Sequence, residues 1–172
     1  MQAKQFTMDG AAGICLSQGR CSEGGSAYEE RPRFKKPQSK GGVSIALYHF
    51  HVDQIKRSEG QSVVASAAYR AGEKLHSEYY GEDSDYTNKG GVIYTEIFLP
   101  PHAPREYADR ETLWNAVEKA EKGKKAQLAY SFDISFQNEF SQEENIALAR
   151  QFLIEHFVSR GMVVDFAVHE PE

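Results

Sequence analysis

Residues two apart on a β-strand project to the same face, and three stretches of this 172-residue chain place imidazoles and carboxylates at that spacing. His49, His51 and Asp53 alternate with Tyr48, Phe50 and Val52 in the first. Ser131, Asp133 and Ser135 alternate with Leu128, Tyr130, Phe132 and Ile134 in the second. In the third, Asp165 and His169 flank Ala167, opposite Val164, Phe166 and Val168. If the three strands are neighbours, one sheet face gathers three histidines and three aspartates, a donor set suited to a divalent metal. The same alternation also describes an ordinary sheet with one wetted face.

A second chemical candidate lies on a helix. At about 100° per residue, Val63, Val64, Ala67, Ala68, Ala71 and Leu75 form one apolar stripe. Tyr69 falls on the other side, with Ser62, Ser66, Glu73 and His76. A large aromatic there adds nothing to its own helix's core. It packs on a neighbour, stands exposed, or serves as a nucleophile. A phenol attacks a phosphodiester once its proton is removed and a metal polarises the phosphate. A phenol is mostly protonated at neutral pH, so a base or a metal must help, and Asp133, Asp165 and His76 are the candidates by face. Arg70, Lys74 and the Lys119, Lys122, Lys124 and Lys125 cluster offer cations to phosphates, although lysines near a helix end also complement its dipole.

The elements that must position these residues follow from periodicity. Residues 43–55 are β-branched, aromatic and partly alternating, which predicts a strand. An Ala-rich helix is expected from Ser62 to about Tyr79. Residues 92–100 form a strand ended by Pro100 and Pro101. A helix capped by Asp109 runs to about Lys122 and stops at Gly123. Residues 127–136 alternate again. Ser141 and Glu144 form a capping box for a helix to Arg160, with Ile146, Ala149, Leu153 and Phe157 as its stripe and Gly161 as its stop. Residues 162–169 are a last strand. Short strands with one polar face each predict an α+β fold: a two-layer sandwich with a largely antiparallel sheet, helices on one face and the other face open.

Composition bounds the rest. Apolar residues at 40% and charged residues at 26% exclude full disorder and a collagen-like chain. No apolar run is long enough for a spanning helix, and no secretory signal is visible. Two cysteines, Cys15 and Cys21, are too few for a disulfide framework or a zinc module, so a reducing cytoplasm is expected. Residues 1–42 are rich in Gly, Ser, Pro and charge and read as a disordered N-terminal tail. They hold 7 Lys/Arg against 4 Asp/Glu, whereas residues 43–172 hold 13 against 21. A protein that coats DNA non-specifically is basic throughout, so any nucleic-acid role rests on a local site.

Over residues 43–172 the sequence resembles the MobA/MobL family of plasmid-mobilisation relaxases, within the HUH endonucleases. The segments that carry the resemblance are LYHFHVDQIKRSEGQSVVASAAYRAGEKL (47–75), YTNKGGVIYTEIFLP (86–100), DRETLWNAVEKAEKGKKAQLA (109–129) and EENIALARQFLIEHFVSRGMVVDFAVHEP (143–171). The resemblance implies nicking and rejoining of single-stranded DNA at an origin of transfer. In that reaction a tyrosine matching Tyr69 becomes joined to the DNA 5′ end. It implies a divalent cofactor, Mn²⁺ or Mg²⁺, with His169 as the first of three histidine ligands. The other two would lie in an N-P-H-x-H segment past Glu172, so weak or no nicking is expected of this chain. Asp133 matches a supporting carboxylate, and Ser131 stands where the family has another acid. His49 and His51 become DNA contacts, with Arg70 and Lys74. Accessory relaxosome proteins and a type IV secretion coupling protein are the implied partners. Two further readings stay open: a replication-initiator-type nuclease that uses His49 and His51 as its metal pair, and a DNA-binding remnant without catalysis. Outside the family, a plain α/β interaction domain fits the same alternation.

Overall fold

The computed structural model describes residues 12–17 (backbone only), 50–137 and 140–170. The strands are β1 (Ala12–Ser17), β2 (Phe50–Lys56), β3 (Lys74–Ser77), β4 (Glu82–Asp85), β5 (Val92–Phe98), β6 (Gln127–Ser135) and β7 (Val164–His169). The helices are α1 (Val63–Ala71), α2 (Arg110–Ala120) and α3 (Gln142–His156). Five strands form one sheet in the order β2-β6-β1-β7-β5, and β3 and β4 make a separate hairpin. The outer pairs β2–β6 and β5–β7 are antiparallel, as expected, but β1 runs parallel to both β6 and β7. Composition alone assigns Ala12–Ser17 to a disordered tail, yet this segment takes the middle of the sheet.

The α+β class stands, but the helices lie on both sheet faces rather than one. Alternation along β7 decides which side chain faces which layer. Val164, Phe166 and Val168 pack with Phe98, Phe132, Ile134, Ala149 and Leu153, so α3 covers that face. Asp165 meets Trp114 of α2 on the other face. There Val63, Val64, Ala67 and Ala68 of α1 and Leu113, Trp114 and Val117 of α2 pack with Ile55 and Ala129. Neither layer spans the sheet. Phe50 and Val52 on the β2 edge stay 46% and 41% exposed on the α3 side.

Helix ends follow local chemistry. The Ser62 hydroxyl caps α1 by accepting from the Ala65 amide at 3.2 Å. The helix does not run on to Tyr79. It stops at Gly72, which takes φ 65°, and a Cβ there would come within 3.1 Å of Val92 Cγ2. Leu75 and His76 therefore leave the helix and enter the β3–β4 hairpin. Asp109 caps α2 through the Thr112 amide at 2.8 Å, and this helix ends at Ala120, before Gly123. Ser141 and Glu144 form the expected capping box. Beyond His156 the chain makes a 3-10 turn, closed by Gly161.

Two buried charges fix α2 against its neighbours. The Glu118 carboxylate accepts from the Ser62 hydroxyl (2.9 Å), the Val63 amide (3.0 Å) and the Ser77 hydroxyl (2.9 Å). It thereby ties the first turn of α1 to the hairpin, at the positive end of the α1 dipole. The Arg110 guanidinium grips Asp165 through Nε at 3.0 and 3.1 Å and through Nη2 at 3.0 Å, and it also reaches Glu73. Burial opposes the charge on Arg110, and the two carboxylates outweigh that effect. Trp114 Nε1 donates to the same Asp165 at 2.8 Å.

Candidate active site

With its apolar face buried, α1 turns Ser62, Ala65, Ser66 and Tyr69 outward at intervals of one helical turn. These residues form one wall of an open groove of about 760 Å³. The opposite wall is the polar face of β2 and β6, with Asp53, Ser131 and Asp133, and Lys56, Glu59 and Gln61, between the end of β2 and the start of α1, line one end. The groove therefore brings together Tyr69 and Asp133, two residues that the sequence placed on separate elements. Asp53 joins them, paired with His51 Nε2 at 2.8 Å. His51 lies opposite Asp133 in the β2–β6 register. His49 lies outside the described residues.

Tyr69 is half-exposed, at 52%. The Tyr86 ring meets it edge-on with centroids 5.3 Å apart. Lys89 Nζ sits 3.4 Å from the Tyr69 ring centroid and donates to the Tyr69 carbonyl at 3.0 Å. One ammonium thus holds both the backbone and the ring face of the same residue. Sequence reasoning missed Lys89 and Tyr86, because neither carries a periodic signal in its own segment. It also missed Arg110 and Glu118, although charged residues on the Leu113, Trp114, Val117 stripe of α2 were a readable sign of buried partners.

His169 ends β7 opposite Val92, at the same corner as the α1 terminus. Its imidazole is half-buried, and Nε2 is buried with no hydrogen-bond partner. Burial first, then the Lys89 ammonium, pushes its pKa below the ordinary histidine value, against a hydrogen bond to the Arg70 backbone that raises it. A neutral ring with an unpaired nitrogen is what a metal ligand requires. His169 and Asp133, however, stand on strands separated by β1 and offset in register. Two strand spacings put them about 9.5 Å apart before the offset. Among the described residues, no three His, Cys, Asp or Glu side chains come close enough to hold a metal ion. His169 fits a metal as a single donor, without a complete donor set around it.

Several expected contributors are placed elsewhere. Asp165 is 2% exposed and held by Arg110 and Trp114, so it is not on an open face and cannot serve as a base. His76 sits on the hairpin with Nδ1 2.6 Å from Asp83. Lys74 also pairs with Asp83, at 3.0 Å. Arg70, by contrast, lines the groove beside Tyr69, with most of its side chain buried and its guanidinium 5.9 Å from the Trp114 ring centroid.

The sequence profile of the MobA/MobL family matches residues 61–172. The chain belongs to the MobA/MobL family. Similar curated proteins include the conjugal transfer protein TraA of Rhizobium radiobacter, 41% identical over 136 residues, which covers 73% of this chain and 12% of that protein. The mobilization protein MobL of Acidithiobacillus ferridurans is 38% identical over 127 residues, covering 74% of this chain and 33% of that protein. This MobA/MobL chain thus spans a third or less of the length of those relatives. A solved structure concerned with the molecular basis of vancomycin resistance transfer in Staphylococcus aureus superposes with a TM-score of 0.66 at 36% identity. The match covers 71% of this chain and 62% of that one. No helix among the described residues is long and apolar enough to cross a membrane.

Proposed function

We propose that this MobA/MobL chain carries the nucleophile of a DNA strand-transfer reaction that nicks and rejoins one strand at an origin of transfer. The observation that carries this reading is the half-exposed phenol of Tyr69, clamped by Tyr86 and Lys89 over a groove lined by Asp53 and Asp133. A single strand laid in the groove brings a phosphate to the Tyr69 hydroxyl. The phenolic oxygen bonds to phosphorus, the bond from phosphorus to the 3′ oxygen breaks, and that oxygen leaves as a 3′-OH. The 5′ phosphate remains on the tyrosine, and reversal of the step rejoins a strand. Asp133 is the groove carboxylate to which the reading assigns the phenol proton. A divalent ion, Mn²⁺ or Mg²⁺, would supply Lewis acidity at the phosphate, with His169 as one ligand. The described residues do not complete its shell, so every step above is assigned to side chains alone. Origin DNA and the accessory proteins of a mobilisation complex are the partners this reading implies.

The test is covalent capture. The chain is incubated with a labelled single-stranded origin oligonucleotide and a divalent ion, then denatured and separated on a gel. A shifted, denaturant-resistant adduct in low yield, in keeping with the incomplete donor set among the described residues, is expected for the wild type and none for Tyr69→Phe. An adduct that survives Tyr69→Phe moves the nucleophile to another residue.

A further inference from the structure

The Gln61 end of the groove opens onto a second surface. The Tyr80 hydroxyl donates to the Gln61 carbonyl at 3.3 Å, and Tyr80 packs edge-to-face on Tyr79 with centroids 4.9 Å apart. These rings cover no core: Tyr79 is 55% exposed and Tyr80 37%. One face of Tyr79 is taken by Arg57, whose guanidinium carbon lies 4.2 Å from the ring centroid. Arg57 is itself buried and donates to the carbonyls of Glu118 (2.7 Å), Glu121 and Gly123 (3.4 Å). Its amide also bonds the Ala126 carbonyl at 3.0 Å. The tyrosine pair is therefore held to the loop after α2, which presents Lys122, Lys124 and Lys125 to solvent. Residues 43–172 are acidic in sum, with 13 Lys/Arg against 21 Asp/Glu, so three exposed lysines in four residues beside two open aromatic rings form a local exception.

We propose that Tyr79, Tyr80 and the Lys122–Lys125 loop are a second contact for single-stranded DNA, receiving the strand where it leaves the Gln61 end of the groove. Aromatic faces stack on bases of any identity, and lysines neutralise the backbone beside them. Stacking of this kind holds the strand in register without reading sequence, so the surface serves positioning rather than origin choice. The proposal rests on the reading that the groove takes single-stranded DNA.

The experiment is fluorescence anisotropy of the full chain with labelled oligonucleotides of about 8 and about 20 nucleotides, the range that short stacking sites occupy. The variants are Y79L/Y80L, Y79F/Y80F, K122Q/K124Q/K125Q and, in the groove, S66E. Y79L/Y80L is expected to weaken the longer oligonucleotide about tenfold or more, as loss of base stacking does, and the shorter one by less than about twofold. Y79F/Y80F keeps the rings and should bind like the wild type. The lysine variant, which disturbs no buried side chain, should lower the salt dependence by about 0.7 for each phosphate that is no longer neutralised. If the leucine and lysine variants bind both lengths like the wild type while S66E weakens both, the second contact is overturned and the groove reading stands. If S66E has no effect on either length, the groove reading fails, and the continuous track fails with it.

Discussion

Tyr69 and His169 sit at one corner and share Lys89, yet they differ in how the fold treats them. Tyr69 is clamped and left open, whereas His169 is half-buried with a nitrogen that nothing satisfies. Burial and then the Lys89 ammonium hold the His169 pKa below 6.5. Its contribution to stability is thus fully present above about 6.5, where folded and unfolded chains both carry a neutral ring. That contribution is lost as the pH falls through the folded value, because the unfolded chain takes up the proton first. Imidazole chemical shifts followed by NMR should give a His169 midpoint below 6.5, and His169→Gln should flatten the fall in stability below that pH. A midpoint at or above 6.5 would contradict the burial. Asp133 faces a different test. If it takes the phenol proton, Asp133→Asn should slow adduct formation by about 10²- to 10⁴-fold, the usual worth of a general base. A change under about threefold would remove it from that role. Tyr69 could be singled out from its place opposite the Val63, Val64, Ala67, Ala68, Ala71 stripe. Lys89, which fixes it, could not.

The groove exists because α1 is held at both ends. Glu118 receives the Ser62 hydroxyl, the Val63 amide and the Ser77 hydroxyl at the N-terminal end, and Gly72 turns the chain out at the other. Glu118→Ala leaves two buried donors, the Val63 amide and the Ser77 hydroxyl, without an acceptor. It is expected to cost about 2–4 kcal/mol, measured by urea denaturation. A loss under about 0.5 kcal/mol would mean that water replaces the carboxylate and that α1 is not anchored there. The caps of α2 and α3 were readable from Asp109 and from the Ser141–Glu144 pair, since capping is local chemistry. The end of α1 was not. Leu75 and His76 continue the helical wheel as well as any residue would, but Gly72 stops the helix before them and the pairing of Lys74–Ser77 with Glu82–Asp85 takes them into a hairpin.

Across the molecule, Asp165 links the layers by joining Arg110 and Trp114 of α2 to the sheet. Removing one partner of a buried pair strands the other, so Asp165→Asn is expected to cost about 3–5 kcal/mol and to lower Tm in a thermal melt. An unchanged Tm would show that Arg110 is satisfied without it. The place of Ala12–Ser17 between β6 and β7 bears on the chain as a whole. Deletion of residues 1–42 should be harmless if composition describes them. With β1 in the sheet, the deletion exposes two strand edges and should lower Tm and promote self-association, seen by light scattering. The helix caps, the strand periods, the outward place of Tyr69 and the family resemblance can all be read from residue order, because each depends on neighbours a few positions apart. The split of helices between two sheet faces, the parallel strand at the sheet's centre, the burial of Asp165 and Arg70, and the meeting of Tyr69 with Asp133 depend on partners tens of residues away. Periodicity says that a residue faces one side of its own element. Only packing decides whether that side meets another element, a groove or solvent.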